Sequence, residues 1–146
     1  MKIGVTGHRP KRIKGQEKEI KIWLENSLKN LKMENDDLVL ISGMAQGVDQ
    51  IAAYAALKMG VDLHCYFPYK YRLWPEEEYL LENAAEVRYE SEEWHRSCHV
   101  KRDRRIVNDC DLLLVIWDGI KAGGTWYTYN YAKREGKKVL LYPWKK

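Results

Sequence analysis

The chain is 146 residues long, 45% hydrophobic and 32% charged, the make-up of a soluble globular protein with one domain, residues 1–146. A net charge of +4 is mildly basic and suits an anionic ligand, from a nucleotide to a nucleic acid. No run of about 18 apolar residues is present, so no helical membrane anchor and no membrane partner is expected.

The predicted elements alternate strand and helix. Lys2–Thr6 is a short β-rich run ending at Gly7. Gln16–Lys32 carries Ile20, Trp23, Leu24, Leu28 and Leu31 at helical spacing and reads as an amphipathic helix. Leu38–Ile41 is a continuous apolar run, as expected of a strand covered on both faces. A helix is predicted over Val48–Met59, with Gly60 as its stop, and a strand over Asp62–Phe67. Pro68–Pro75 is a proline-bounded aromatic loop, followed by a short helix over Glu76–Asn83 and a short strand over Val87–Tyr89. Glu92–Asn108 reads as a polar helix, and Asp111–Trp117 is the strongest strand signal. A Gly-rich loop over Asp118–Gly124 leads into a helix over Thr125–Arg134, a stop at Gly136 and a last strand over Lys138–Tyr142. This order implies parallel βαβ units in one doubly wound α/β domain, with a mainly parallel sheet of about five to six strands. Ligands in such sheets bind outside the carboxyl ends of the strands, which directs attention to the loops that follow them.

Three such loops carry glycine. In Gly4–Pro10 (GVTGHRP), Gly7 allows a tight turn or a close approach, and His8 and Arg9 sit where an anion would bind. In Ser42–Asp49 (SGMAQGVD), Gly43 and Gly47 bracket a helix start whose unpaired N–H groups attract phosphate. Ser42 offers a hydroxyl, and Asp49 is either an N-terminal cap or a ribose ligand. In Asp118–Thr128 (DGIKAGGTWYT), Gly123, Gly124 and Thr125 repeat the arrangement, and Asp118 closes the strand. Each loop alone is also explained as a capped turn; three together point to a phosphate-bearing ligand. Arg102 and Arg105, on the basic helix before the strongest strand, are candidate anion contacts. In the aromatic loop Tyr69, Tyr71 and Trp74 are placed to stack on a base, or to form a surface contact.

Cys65, Cys98 and Cys110 are odd in number and lack CxxC spacing, which argues against a disulfide framework. His95, Cys98 and His99 have helical spacing but no second ligand pair, so no metal site is expected. The N-terminal MKIGVTGHRP does not read as a signal peptide, and a cytoplasmic location is expected. Six Trp and ten Tyr against one Phe suit a ligand pocket or a homodimer or higher homo-oligomer.

Ser42–Asp49 with the Ala-rich helix behind it resembles the SGxAxGID signature of the DNA-processing protein A (DprA/Smf) family. Gly4–Arg9 and Asp111–Thr125 resemble the small YpsA-like and YspA-like members of the same SLOG superfamily, which also holds the LOG phosphoribohydrolases. The resemblance implies a Rossmann-like nucleotide-binding domain. It implies that Gly7, His8, Arg9, Ser42, Gly43, Gly47, Gly123, Gly124 and Thr125 contact phosphate. LOG enzymes carry PGGxGTxxE; here the glutamate position reads Thr128, which cannot serve as a carboxylate acid or base. The expected function is therefore binding of a nucleotide or a nucleotide-derived, ADP-ribose-like ligand by a sensing or sequestering module that requires no cofactor. The alternatives are a LOG-like N-glycoside hydrolase acting on a nucleoside monophosphate and a single-stranded nucleic-acid module of DprA type.

Overall fold

The computed structural model describes residues 1–145. Six strands form one all-parallel sheet: β1 (Lys2–Gly7), β2 (Val39–Ser42), β3 (Asp62–Phe67), β4 (Glu86–Tyr89), β5 (Leu112–Ile116) and β6 (Lys138–Leu141). Five helices connect them: α1 (Glu17–Glu34), α2 (Val48–Lys58), α3 (Pro75–Glu82), α4 (Cys98–Asp109) and α5 (Gly124–Arg134). The strand order is β4-β3-β2-β1-β5-β6. The chain therefore winds outward from β1 in one direction and, after α4, resumes at β5 on the other side. The reversal falls between β1 and β5, where Gly7 pairs with Ile116 at the carboxyl ends.

The sheet is covered on both faces, which is why its central strands are apolar without alternation. In β1, Ile3 and Val5 face the core shared with α1, α2 and Leu80 of α3. In β5, Leu114 and Ile116 face that same core, while Leu113 and Val115 face Ile106, Val107 and Ala132 of α4 and α5. Ala52, Ala53, Ala55 and Ala56 let α2 lie close on the sheet, and all four are buried.

Two departures from the sequence reading affect the site. The polar helix predicted from Glu92 begins only at Cys98. Its inward residues are Cys98, Arg102 and Ile106, four apart. Before Cys98 nothing apolar turns inward, and Trp94 is exposed. The second departure is a 3-10 turn over Pro10–Arg12, anchored by the fully buried Ile13. It folds the segment after His8 back over the strand ends and holds Arg9 and Arg12 there.

Candidate functional site

A two-lobed cleft lies over the carboxyl ends of the strands. The inner lobe, about 370 Å³, is walled by Gly7, His8, Arg9, Arg12, Asp49, Arg102, Gly124 and Thr125. The outer lobe, about 340 Å³, is walled by Gly43, Met44, Tyr69, Tyr71, Trp74 and Glu77. Arg9, Ala45, His99 and Arg102 belong to both.

The inner lobe sits at the strand-order reversal. His8 is 3% exposed, and its Nε2 accepts the Asp118 amide N–H at 3.0 Å. Asp118 Oδ2 accepts from Arg12 Nη2 at 2.6 Å and Nε at 3.0 Å. Burial works to raise the Asp118 pKa, but the Ile120 amide and Arg12 outweigh it and hold the carboxyl below its usual range. Asp118 thus stands behind the cleft wall and orients Arg12 toward it.

The α5 N-terminus opens on this lobe. A Cβ built on Gly124 would meet nothing within 4 Å, and Thr125 lines the wall beside it. Gly123 has φ +92°, which lets the chain enter the helix there. Unpaired N–H groups at such an end favour an anion.

The α2 N-terminus is different. Val48 N donates to His8 O at 3.1 Å, Met44 N to Ser42 Oγ at 3.1 Å, and Ala45 N to Asp49 Oδ2 at 3.3 Å. Ser42 is fully buried, and its hydroxyl donates to Asp49 O at 2.8 Å. Ser42 therefore closes the turn and does not face the cleft. Gly47, with φ +100°, is needed because a Cβ there would lie 2.4 Å from His8 O. Gly7 has the same kind of cause: a Cβ would lie 2.4 Å from Val48 Cγ1. These glycines bring the first two loops together, and the helix end facing the cleft is that of α5.

Arg102 is the wall between the lobes. It is 6% exposed, and its Nε donates to Asp103 Oδ1 at 2.7 Å. Its Nη1 donates to Gly43 O and, at 3.4 Å, to Tyr66 O. Gly43 is small because a Cβ would lie 2.9 Å from Arg102 Nη1. Asp49 lies nearby, 8% exposed. Burial pushes its pKa up to about 7, against the opposing pull of Arg102.

Arg105 is not in the cleft. Its guanidinium grips Glu90, Nε to Oε2 at 2.8 Å and Nη2 to Oε1 at 3.0 Å, so it stands apart from the other candidate anion contacts. Position explains this: Arg102 lies on the inward face of α4 with Cys98 and Ile106, and Arg105 does not. Arg12, His99 and Glu77 line the cleft and were not singled out as ligand contacts in the sequence. The basic run Arg9–Lys14 (RPKRIK) held the signal for Arg12. In the outer lobe Tyr69 and Tyr71 pack with ring centroids 5.1 Å apart, and Tyr71 meets Phe67 edge-on at 5.7 Å.

No curated protein matches the chain. Among solved structures it resembles DNA processing protein A from Streptococcus pneumoniae, with a TM-score of 0.78 and 22% identity over 99% of this chain and 50% of that one. It also resembles the Helicobacter pylori DNA processing protein A, described for its single-stranded DNA binding mode, with a TM-score of 0.74 and 21% identity over 99% of this chain and 66% of that one. The chain therefore spans half the length of the first and about two thirds of the second. The molybdenum cofactor carrier protein of Chlamydomonas reinhardtii matches with a TM-score of 0.66 and 16% identity, over 96% of this chain and 75% of that one. At these identities the structures agree in fold. Residues 40–145 match the model of the circularly permutated YpsA SLOG family, and the chain belongs to that family.

Proposed function

We propose that the cleft binds a nucleotide or a nucleotide-derived molecule, ADP-ribose-like compounds included, and that the protein senses or sequesters it. One observation carries this reading: Arg102 is shared by a basic lobe at the open α5 N-terminus and an aromatic lobe at Tyr69, Tyr71 and Trp74. Phosphate would lie against Gly124, Thr125, Arg9 and Arg12, where amide dipoles and guanidinium groups favour it. The base would lie in the aromatic lobe, and Asp49 would face the ribose between them. The fold match to a molybdenum cofactor carrier protein supports the holding of a small molecule. Titration calorimetry with nucleoside monophosphates, NAD and ADP-ribose tests it. Submillimolar binding is expected, and its absence across the panel would reject the reading.

A LOG-like hydrolase has less support. Thr128, where LOG enzymes have the motif glutamate, is 2% exposed, and its hydroxyl donates to Gly124 O at 2.9 Å. Bound nucleoside monophosphate is expected to stay intact on prolonged incubation, as chromatography would read. The likeness to DNA processing proteins over 99% of the chain supports a single-strand reading, in which Arg9 and Arg12 would follow the backbone. Such binding would weaken steeply with salt. A homodimer or higher homo-oligomer and a cytoplasmic location belong to the same proposal. Among the described residues no helix is long and apolar enough to cross a membrane.

A further inference from the structure

Glu77 sits at the third position of α3, beneath the aromatic wall of the outer lobe, and is 4% exposed. Its Oε1 accepts the Trp74 N–H at 3.1 Å, which ties down the helix start. A glutamine would make that bond equally well, and a capping glutamate is ordinarily in water. Among the described residues Glu77 has no cation within ion-pair distance and Oε2 has no hydrogen-bond partner. Nor is Oε2 sealed off without a partner, since among the described residues that state is confined to His64 Nδ1. An accessible carboxylate oxygen on a side chain that is 4% exposed, lines the cleft and lacks a protein donor is open to a donor from the ligand.

We propose that Glu77 selects the nucleobase, and that the base selected is guanine. This rests on the nucleotide reading above and narrows it, away from adenine derivatives such as ADP-ribose. Guanine sets a ring N–H beside an amino group on one edge, two donors side by side for one carboxylate. Adenine and cytosine place a ring lone pair beside their amino group, which a carboxylate repels. Uracil flanks its N–H with two carbonyls. Stacking on Tyr69, Tyr71 or Trp74 is indifferent to base identity, because every base has a π-face. Among the residues that wall the outer lobe, Glu77 is the acidic one, beside Gln46 and His99, and so is the acceptor that favours a base edge with two adjacent donors. The remaining charged walls, Arg9 and Arg102, suit phosphate and leave the carboxylate to the base.

Calorimetry with GMP, IMP and AMP tests the inference, since the three share ribose and phosphate. GMP should bind at least about tenfold tighter than AMP, with IMP, which lacks the amino group, between them. Glu77→Gln should narrow the GMP-to-AMP ratio to within about threefold while the melting temperature holds, because the amide oxygen still accepts from Trp74. Equal binding of the three by the wild type, or an unchanged ratio in E77Q, would reduce Glu77 to a helix cap and leave the nucleotide reading standing. No binding of any of the three overturns the guanine inference, and the nucleotide reading falls with it when NAD and ADP-ribose also fail to bind. The wild-type comparison needs no variant and stands if E77Q fails to fold.

Discussion

The backbone N–H of Asp118 donates to His8 Nε2 at 3.0 Å, tying the loop after β5 to the loop after β1 across the strand-order reversal. The bond also sets the tautomer: Nε2 accepts, so the ring proton is on Nδ1 and the imidazole is neutral. Asp118 Oδ1 lies 3.3 Å from the same nitrogen, but an ion pair there would require a protonated Nε2 and would break the amide bond. Burial is the largest influence on His8 and lowers its pKa below the ordinary value despite Asp118.

A lowered folded-state pKa means that the unfolded chain binds this proton more readily. The His8 contribution to stability is present above about pH 6.5 and is lost as the pH falls through the folded value. His8→Gln keeps an acceptor for the Asp118 amide and removes the titration. The wild type should therefore lose more thermal stability than H8Q between pH 7 and pH 5. Parallel melting curves across that range would show that His8 is not held neutral.

Gly7 separates packing from binding. Its missing Cβ leaves room for Val48, whose Cβ would be only 2.5 Å away and whose Cγ1 only 2.4 Å. Gly7→Ala should cost about 3 kcal/mol or more by denaturant unfolding, because the neighbour is the first turn of α2 and cannot move alone. Adding Val48→Ala should not restore the loss, since alanine keeps the Cβ that clashes. Full rescue by V48A would mean that only the valine methyls are in the way.

Much of this was legible in the sequence because parallel strands buried on both faces read as apolar runs. Leu38–Ile41 and Asp111–Trp117 are such runs, and Gly60 and Gly136 end helices at φ +70° as expected. The loops at the strand ends were also legible, since the reversal point is fixed by strand order. Which glycine meets the ligand was not. Gly7 and Gly124 look alike in sequence, yet one faces Val48 and the other open space. That difference depends on which helix end is closed by another loop, here α2 by His8 O, a contact 40 residues apart in the chain. Glu77 was hidden for the same reason. In the run Glu76-Glu77-Glu78 only the tertiary fold turns one carboxylate inward.

Gly124 should behave in the opposite way to Gly7. With open space around its Cβ position, Gly124→Ala and Gly124→Leu should both fold, within about 1 kcal/mol of the wild type. The leucine side chain would project into the inner lobe at the α5 N-terminus. Nucleotide affinity should fall by more than about tenfold in G124L and much less in G124A. Normal binding by G124L would move the phosphate site away from this helix end.

Asp49 carries a cost that its substitution should reveal. Burial raises its pKa to about 7, from the ordinary carboxyl value of 3.8. Below about pH 4 the carboxyl is protonated in both folded and unfolded chains and costs nothing. As the pH rises from about 4 to 7 the unfolded chain ionises first, so stability falls across that window, by an amount on the order of 4 kcal/mol. Asp49→Asn keeps an oxygen to accept the Ala45 N–H and cannot ionise. D49N should therefore melt higher than the wild type at pH 8, with the gap closing as the pH falls toward about 4. It should also bind a phosphate-bearing ligand more tightly at pH 8, because a negative charge has left the inner lobe. A gap that is the same at every pH would mean that Asp49 is ionised throughout and fully compensated by Arg102. A gap that closes while affinity stays unchanged would place the phosphate beyond the reach of Asp49.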